Sequence, residues 1–136
     1  NFDINTFDYP TKFFESISTS GNWEFVILKL NESSGEANTK DPVAVIFSYK
    51  NASNIYTPVF LGMNYEHLDK YNTYRQVLFQ SIKRAKALGS SKVLLGLSAT
   101  IEKKKFGARI IPKVAYVQAK DNFNMEFIET MAVKAS

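Results

Sequence analysis

The 136-residue chain contains no cysteine and only one histidine and one tryptophan. Without thiols it can form no disulfide scaffold, hold no Cys-ligated zinc or iron–sulfur cluster, and use no thiolate nucleophile. Six glycines and four prolines are too few for a collagen-like or proline-rich polymer. Long apolar runs are missing too. Stretches such as NWEFVILKL and KVLLGL are soon interrupted, so no membrane span and no secretory segment are expected, and a cytoplasmic protein is the default. Neither GxGxxG nor GxxxxGK[ST] occurs to cradle a phosphate, and no GxSxG elbow occurs to expose a serine nucleophile. Internal repeats and low-complexity tracts are absent, and the Asn-x-Ser matches at Asn31 and Asn51 predict no glycan in so asparagine-rich a chain.

What is present suffices for one core. The composition is 45% apolar and 14% aromatic, which predicts a single domain over residues 1–136. The first residue is Asn1 rather than Met. A processed or excised chain is therefore expected, one half of a larger or two-domain protein.

The net charge of +4 is unevenly spread. Residues 1–72 carry five Lys/Arg against nine Asp/Glu, residues 73–120 carry eleven against one, and residues 121–136 carry one against three. The middle segment is either a face for an anionic cofactor, a nucleic-acid backbone or anionic lipid, or the solvated sides of two helices.

Hydrophobic periodicity orders the elements. A short helix is predicted over Thr11–Ser18, with Pro10 at its start and Phe13, Phe14 and Ile17 on its buried side. Strands follow at Trp23–Leu30 and Val43–Tyr49, joined by a polar connection, and a third at Ile55–Met63, where Pro58 demands an edge, a bulge or a break. From Asn72 the period changes. Tyr74, Val77, Leu78, Ile82, Ala85 and Leu88 form a helical stripe ended by Gly89. VLLGLSA then reads as a central strand covered on both faces. A short helix capped by Ser98 or Thr100 and ended by Gly107 comes next, then a strand at Val114–Gln118 and an ambiguous tail in which a helix is preferred. The fold class expected is α/β (α+β), with a mixed, mostly antiparallel sheet and flanking helices.

Chemistry has few candidates. His67 lies in GMNYEHLDKYNTY beside Glu66 and Asp69, too few nitrogen ligands for a metal site, so no metal is expected. His67 is either a general base or a polar loop residue. Tyr65, Tyr71 and Tyr74 crowd the same connection; Tyr74 opens the apolar stripe and belongs to the core, which leaves Tyr71 as the better site candidate. Gly62 and Gly96 fall inside strand-like segments, where glycine marks a bulge or a close backbone approach. Lys103, Lys104, Lys105 and Arg109 surround Phe106 as either a solvated helix face or a set of anion contacts.

The order of elements and the segment from Tyr71 to Gln118 resemble the C-terminal half of a GNAT N-acyltransferase domain, in the divergent bacterial group close to the FemAB-like peptidoglycan aminoacyltransferases. The resemblance rests on a tyrosine-led helix from Tyr74, Gly89 at its end, Gly96-Leu97-Ser98 in the next strand, Lys103 to Lys105, and Phe106-Gly107-Ala108, and it covers residues 23–120. It implies an acyl-CoA N-acyltransferase-like fold in which strands 55–63 and 92–98 splay apart around the donor. The implied activity moves an acyl group from acetyl-CoA or another acyl-CoA, or from an aminoacyl-tRNA, to an amine of a small molecule or peptide. Donor contacts would fall to Gly62, Met63, Asn64, Asn72, Gly96, Ser98 and Lys103. If the domain is catalytic, the residues permit direct transfer: water or a carboxylate such as Glu66 would take the amine proton, with His67 as another candidate base, backbone N–H near Gly96 would hold the oxyanion, and Tyr71 would protonate the leaving group. The usual Gln/Arg-x-x-Gly-x-Gly/Ala donor signature is replaced here by Tyr65 to Tyr74. The competing expectation is a non-catalytic domain of the same fold that binds nucleic acid or a protein partner through its basic surface.

Overall fold

A computed structural model describes residues 9–31, 35, 40–96, 99–114 and 120. Three helices, α1 (Thr11–Ser18), α2 (Thr73–Ala87) and α3 (Thr100–Lys105), accompany four strands, β1 (Trp23–Lys29), β2 (Pro42–Lys50), β3 (Ile55–Met63) and β4 (Lys92–Val93). The sheet order is β1-β2-β3-β4. β1, β2 and β3 form an antiparallel meander, and β4 joins β3 in parallel after the α2 crossover. This is a mixed, mostly antiparallel sheet with flanking helices. The strand expected at 114–118 beyond its first residue, the tail from 121, and Ser98 lie outside the described residues.

Strand alternation assigns each face. Cross-strand partners Val26↔Ile46, Leu28↔Ala44 and Ala44↔Met63 share one face with Val77 of α2, where Ile46 is fully buried. Burying a side chain of that size stabilises the fold by about 1.5–3 kcal/mol. The opposite face is aromatic. Phe47 and Phe60 meet rings of the α1 segment, with Phe14 to Phe47 at 5.1 Å and Phe13 to Phe60 at 5.6 Å between centroids, and Phe25 packs on Phe47 and Trp23 on Phe60.

Pro58 is accommodated by a bulge rather than a break. Phe47 pairs with Phe60 and Ser48 with Pro58, so Val59 is the extra residue and β3 continues to Met63. α2 ends in a Schellman motif at Gly89, φ +65°: Ser90 N–H donates to Ala85 C=O and Gly89 N–H to Lys86 C=O. α3 ends the same way at Gly107, φ +80°, with Ala108 N–H on Lys103 C=O and Gly107 N–H on Lys104 C=O. Its N-cap is Ala99 in the left-handed region, with no side-chain cap from Thr100.

The central strand expected from VLLGLSA is not formed in the described residues. β4 is limited to Lys92–Val93, and Leu94 is exposed. The reason lies in β3. Ser91 N–H and then Leu94 N–H donate to Asn54 and Tyr56 carbonyls, and in this parallel register the next rung would need an N–H from Pro58 to Leu94 C=O. Proline has none, so the ladder stops there.

Candidate functional site

Past the last rung, no described strand pairs with the outer edge of β3. Asn64 N–H donates to Val43 C=O and Asn51 N–H to Ile55 C=O, which fixes which β3 residues bond to β2. By alternation across the bulge, Pro58, Leu61 and Met63 point their backbone groups toward the side that β4 leaves. Because β3 and β4 run parallel, both lead toward the same end of the sheet, with β4 stopping level with Tyr56 and β3 running on to Met63. The first turns of α2 and α3 lie side by side. Arg75 in α2 holds Glu102 in α3, with Nε to Oε2 at 2.7 Å, and ties the two together.

The 63–73 connection is locally well specified. Asn64 Oδ1 accepts from Glu66 N–H and opens the 3-10 turn Tyr65–His67. Thr73, buried at the start of α2, donates its hydroxyl to His67 C=O at 2.8 Å and its N–H to Leu68 C=O. Asn72 precedes it in the left-handed region, φ 49°, and makes no side-chain cap. The His67 and Tyr71 rings lie 5.7 Å apart, and Lys70 Nζ stands 5.2 Å from the Tyr71 ring centre. The structure thus brings the His67 and Tyr71 rings together, with Glu66 in the 3-10 turn and Asn64 and Asn72 at the two ends of the connection. Met63 packs on the core cluster instead, its side chain turned to Ala44, Ile46 and Val77.

The two glycines have different reasons. A side chain at Gly62 would begin 3.2 Å from Val45 Cγ1 on the aromatic face, so packing explains it. Gly96 has φ +79°, a conformation that favours glycine, and its missing Cβ would stand 3.7 Å from Lys103 Nζ. Lys103 is the buried member of the basic run, 8% exposed, and burial pushes its ammonium below the usual lysine range. Gly96 and Lys103 therefore form a second group, after β4.

The basic segment is less available than its sequence suggests. Arg75 and Lys105 share Glu102, whose carboxyl is held at about 2 by hydrogen bonds from Arg75 and Lys105. Arg84 clamps Glu24 of β1, with Nε to Oε2 at 2.9 Å and Nη2 to Oε2 at 2.8 Å. Tyr56, fully buried, donates its hydroxyl to Glu24 Oε1 at 2.5 Å. Burial would raise the Glu24 carboxyl, but the Arg84 and Tyr56 hydrogen bonds outweigh it and hold the group below the usual carboxylate range. Burial, then the Glu24 hydrogen bond, drives the Tyr56 hydroxyl well above the usual phenol range. Tyr74 is raised by burial and by Glu102.

Sequence reasoning did not single out the Glu24–Tyr56–Arg84 network. One signal was available: Glu24 sits among apolar residues on the α2-facing side of its strand, where an unpaired carboxylate would be costly. Among the described residues no group of three or more His, Cys, Asp or Glu is placed to hold a metal ion, and no helix is long and apolar enough to cross a membrane. No protein-family model, no curated protein and no solved structure matches this chain.

Proposed function

We propose that the domain is an N-acyltransferase that takes an acyl group from an acyl-CoA, with acetyl-CoA as the first candidate. The observation that carries this reading is the parallel β3–β4 pair that parts at Pro58. An extended donor arm bearing amides can bond to the outward groups of Leu61 and Met63, as an added strand would. The resemblance in the 71–118 segment points to the same place. Asn64 and Asn72 then border the donor, and Gly96 and Lys103 face it from the β4 side. The Lys103 ammonium and the amides at the start of α2 complement its phosphates.

The reaction is a direct transfer. The acceptor amine attacks the thioester carbonyl as Glu66 or His67 takes its proton; the C–N bond forms and the C–S bond breaks. Backbone N–H near Gly96 stabilises the oxyanion, and Tyr71 returns a proton to the thiolate. With an aminoacyl-tRNA donor the same steps break a C–O ester bond instead.

Calorimetric titration of the chain with acetyl-CoA and with CoA, at low and moderate salt, tests the reading. Saturable one-to-one binding that survives salt supports it, as does weakening in Pro58→Val, which restores the missing ladder N–H. No binding, or binding erased by salt, removes the acyl-CoA donor and turns attention to an aminoacyl-tRNA or to the non-catalytic basic-surface reading. Unchanged turnover in Tyr71→Phe would remove that residue's role alone.

A further inference from the structure

At the other edge of the sheet, β1 has no strand neighbour beyond β2 among the described residues. Lys50 N–H donates to Asn22 C=O, and the register that follows gives Glu24, Val26 and Leu28 to the β2 ladder. Trp23, Phe25, Ile27 and Lys29 therefore turn their N–H and C=O groups outward. Sheet edges are ordinarily blunted by proline, a bulge or an inward charge. β1 has neither proline nor glycine, and the irregularity near its end falls at Val43 of β2, opposite an unbroken β1. Its one acidic residue, Glu24, is already neutralised by Arg84.

α1 lies against β1 and sets its rings on Phe47 and Phe60 of β2 and β3, while α2 packs on β2, β3 and β4. Phe25 and Ile27 are left 36% and 55% exposed.

We propose that β1 pairs antiparallel with β1 of a second copy of this chain, about a two-fold axis at Val26. The strand is complementary to itself in that register and in no other of full length. Phe25 faces Ile27 of the other copy, both apolar and both exposed, and Glu24 faces Leu28. Trp23 faces Lys29, a ring beneath an ammonium. No like charges meet. Moving the axis to Phe25 leaves Leu28 and Lys29 without partners, and moving it to Ile27 strands Trp23 and Glu24. The contact is isologous and closed, so it joins two sheets into one and stops at the dimer.

Sedimentation velocity on the full chain from about 1 µM to about 1 mM covers the range in which so narrow an interface dissociates. The expected result is a reversible monomer–dimer equilibrium. Ile27→Pro removes an outward N–H without touching the β2 ladder, and is expected to weaken the dimer at least about tenfold. Ile27→Lys, at an exposed position that tolerates charge, is expected to do the same while far-ultraviolet circular dichroism stays unchanged. A monomer at every concentration would overturn the proposal, as would a dimer that both variants leave intact. Slow amide exchange at Phe25 and Ile27 in the monomer would also overturn it, by showing that a segment of the same chain fills the edge.

Discussion

Helix α2 carries an arginine–glutamate pair at each end, and the two pairs differ in what stands behind them. Arg75 meets Glu102 at the N-terminal end, where the carboxylate is shared only with Lys105, three residues along its own helix. Arg84 meets Glu24 at the C-terminal end, and Glu24 also accepts from Tyr56, a side chain with no exposed surface. The arginines are similarly exposed, at 48% and 47% of their side chains. Exposure of the cation therefore does not rank the pairs. The Glu24 pair closes a buried donor, while the Glu102 pair fastens α3 to α2 without a buried donor behind it.

Four measurements would sharpen or break that comparison. The largest effect is expected from Tyr56→Ala, which empties a fully buried site and should cost about 3–5 kcal/mol in urea unfolding. Next comes Glu24→Ala, at about 1–3 kcal/mol, because the Tyr56 hydroxyl loses its acceptor. Combined with Tyr56→Phe it should cost less than the sum of the two changes. Additive costs would show that the hydroxyl and the carboxylate act separately.

Acid should separate the pairs further. Glu24 and Glu102 are both held below the ordinary value of 4.5, so each pair contributes stability above that pH and loses it as the pH falls through the lowered folded value. Glu102 has the more depressed carboxyl, at about 2, but both its partners are half-exposed cations, whose effect screening discounts, whereas Glu24 also accepts from the buried Tyr56 hydroxyl. Glu24→Gln is accordingly expected to flatten the acid loss of stability more than Glu102→Gln; the reverse order in unfolding curves from pH 6 to pH 2 would contradict this ranking. The smallest effect belongs to Arg75→Ala, which should leave the urea midpoint within error. Its readout is local: faster amide exchange across Thr100–Lys105, with α2 unchanged.

Both pairs join residues far apart in the chain, and neither partnership was legible in the sequence. Much of the fold was. The α1 range and the full extent of β3 follow from composition and periodicity, and Gly89 and Gly107 mark helix ends because only a left-handed residue completes the carbonyl bonding there. In α2, Val77, Leu78 and Ala85 are buried as their spacing predicts. Thr73 and Ser81 are buried too, although their side chains are polar, because each donates its hydroxyl to a backbone carbonyl, Thr73 to His67 and Ser81 to Val77.

Of the site, the meeting of His67 and Tyr71 could be read locally, since residues so close in sequence need only a short turn to meet. That Gly96 faces Lys103 could not. Nor could the early end of β4, whose apolar sequence favours a longer strand than the structure allows. Sequence by itself determined the glycine-marked ends of α2 and α3, a mostly antiparallel sheet and the residue that would disturb its third strand. Only the tertiary structure decided that the disturbance is a bulge on the β2 side and a missing rung on the β4 side. A proline removes the same N–H wherever it stands, and which neighbour would have received that N–H is fixed by strand register, a property of two segments and not of one.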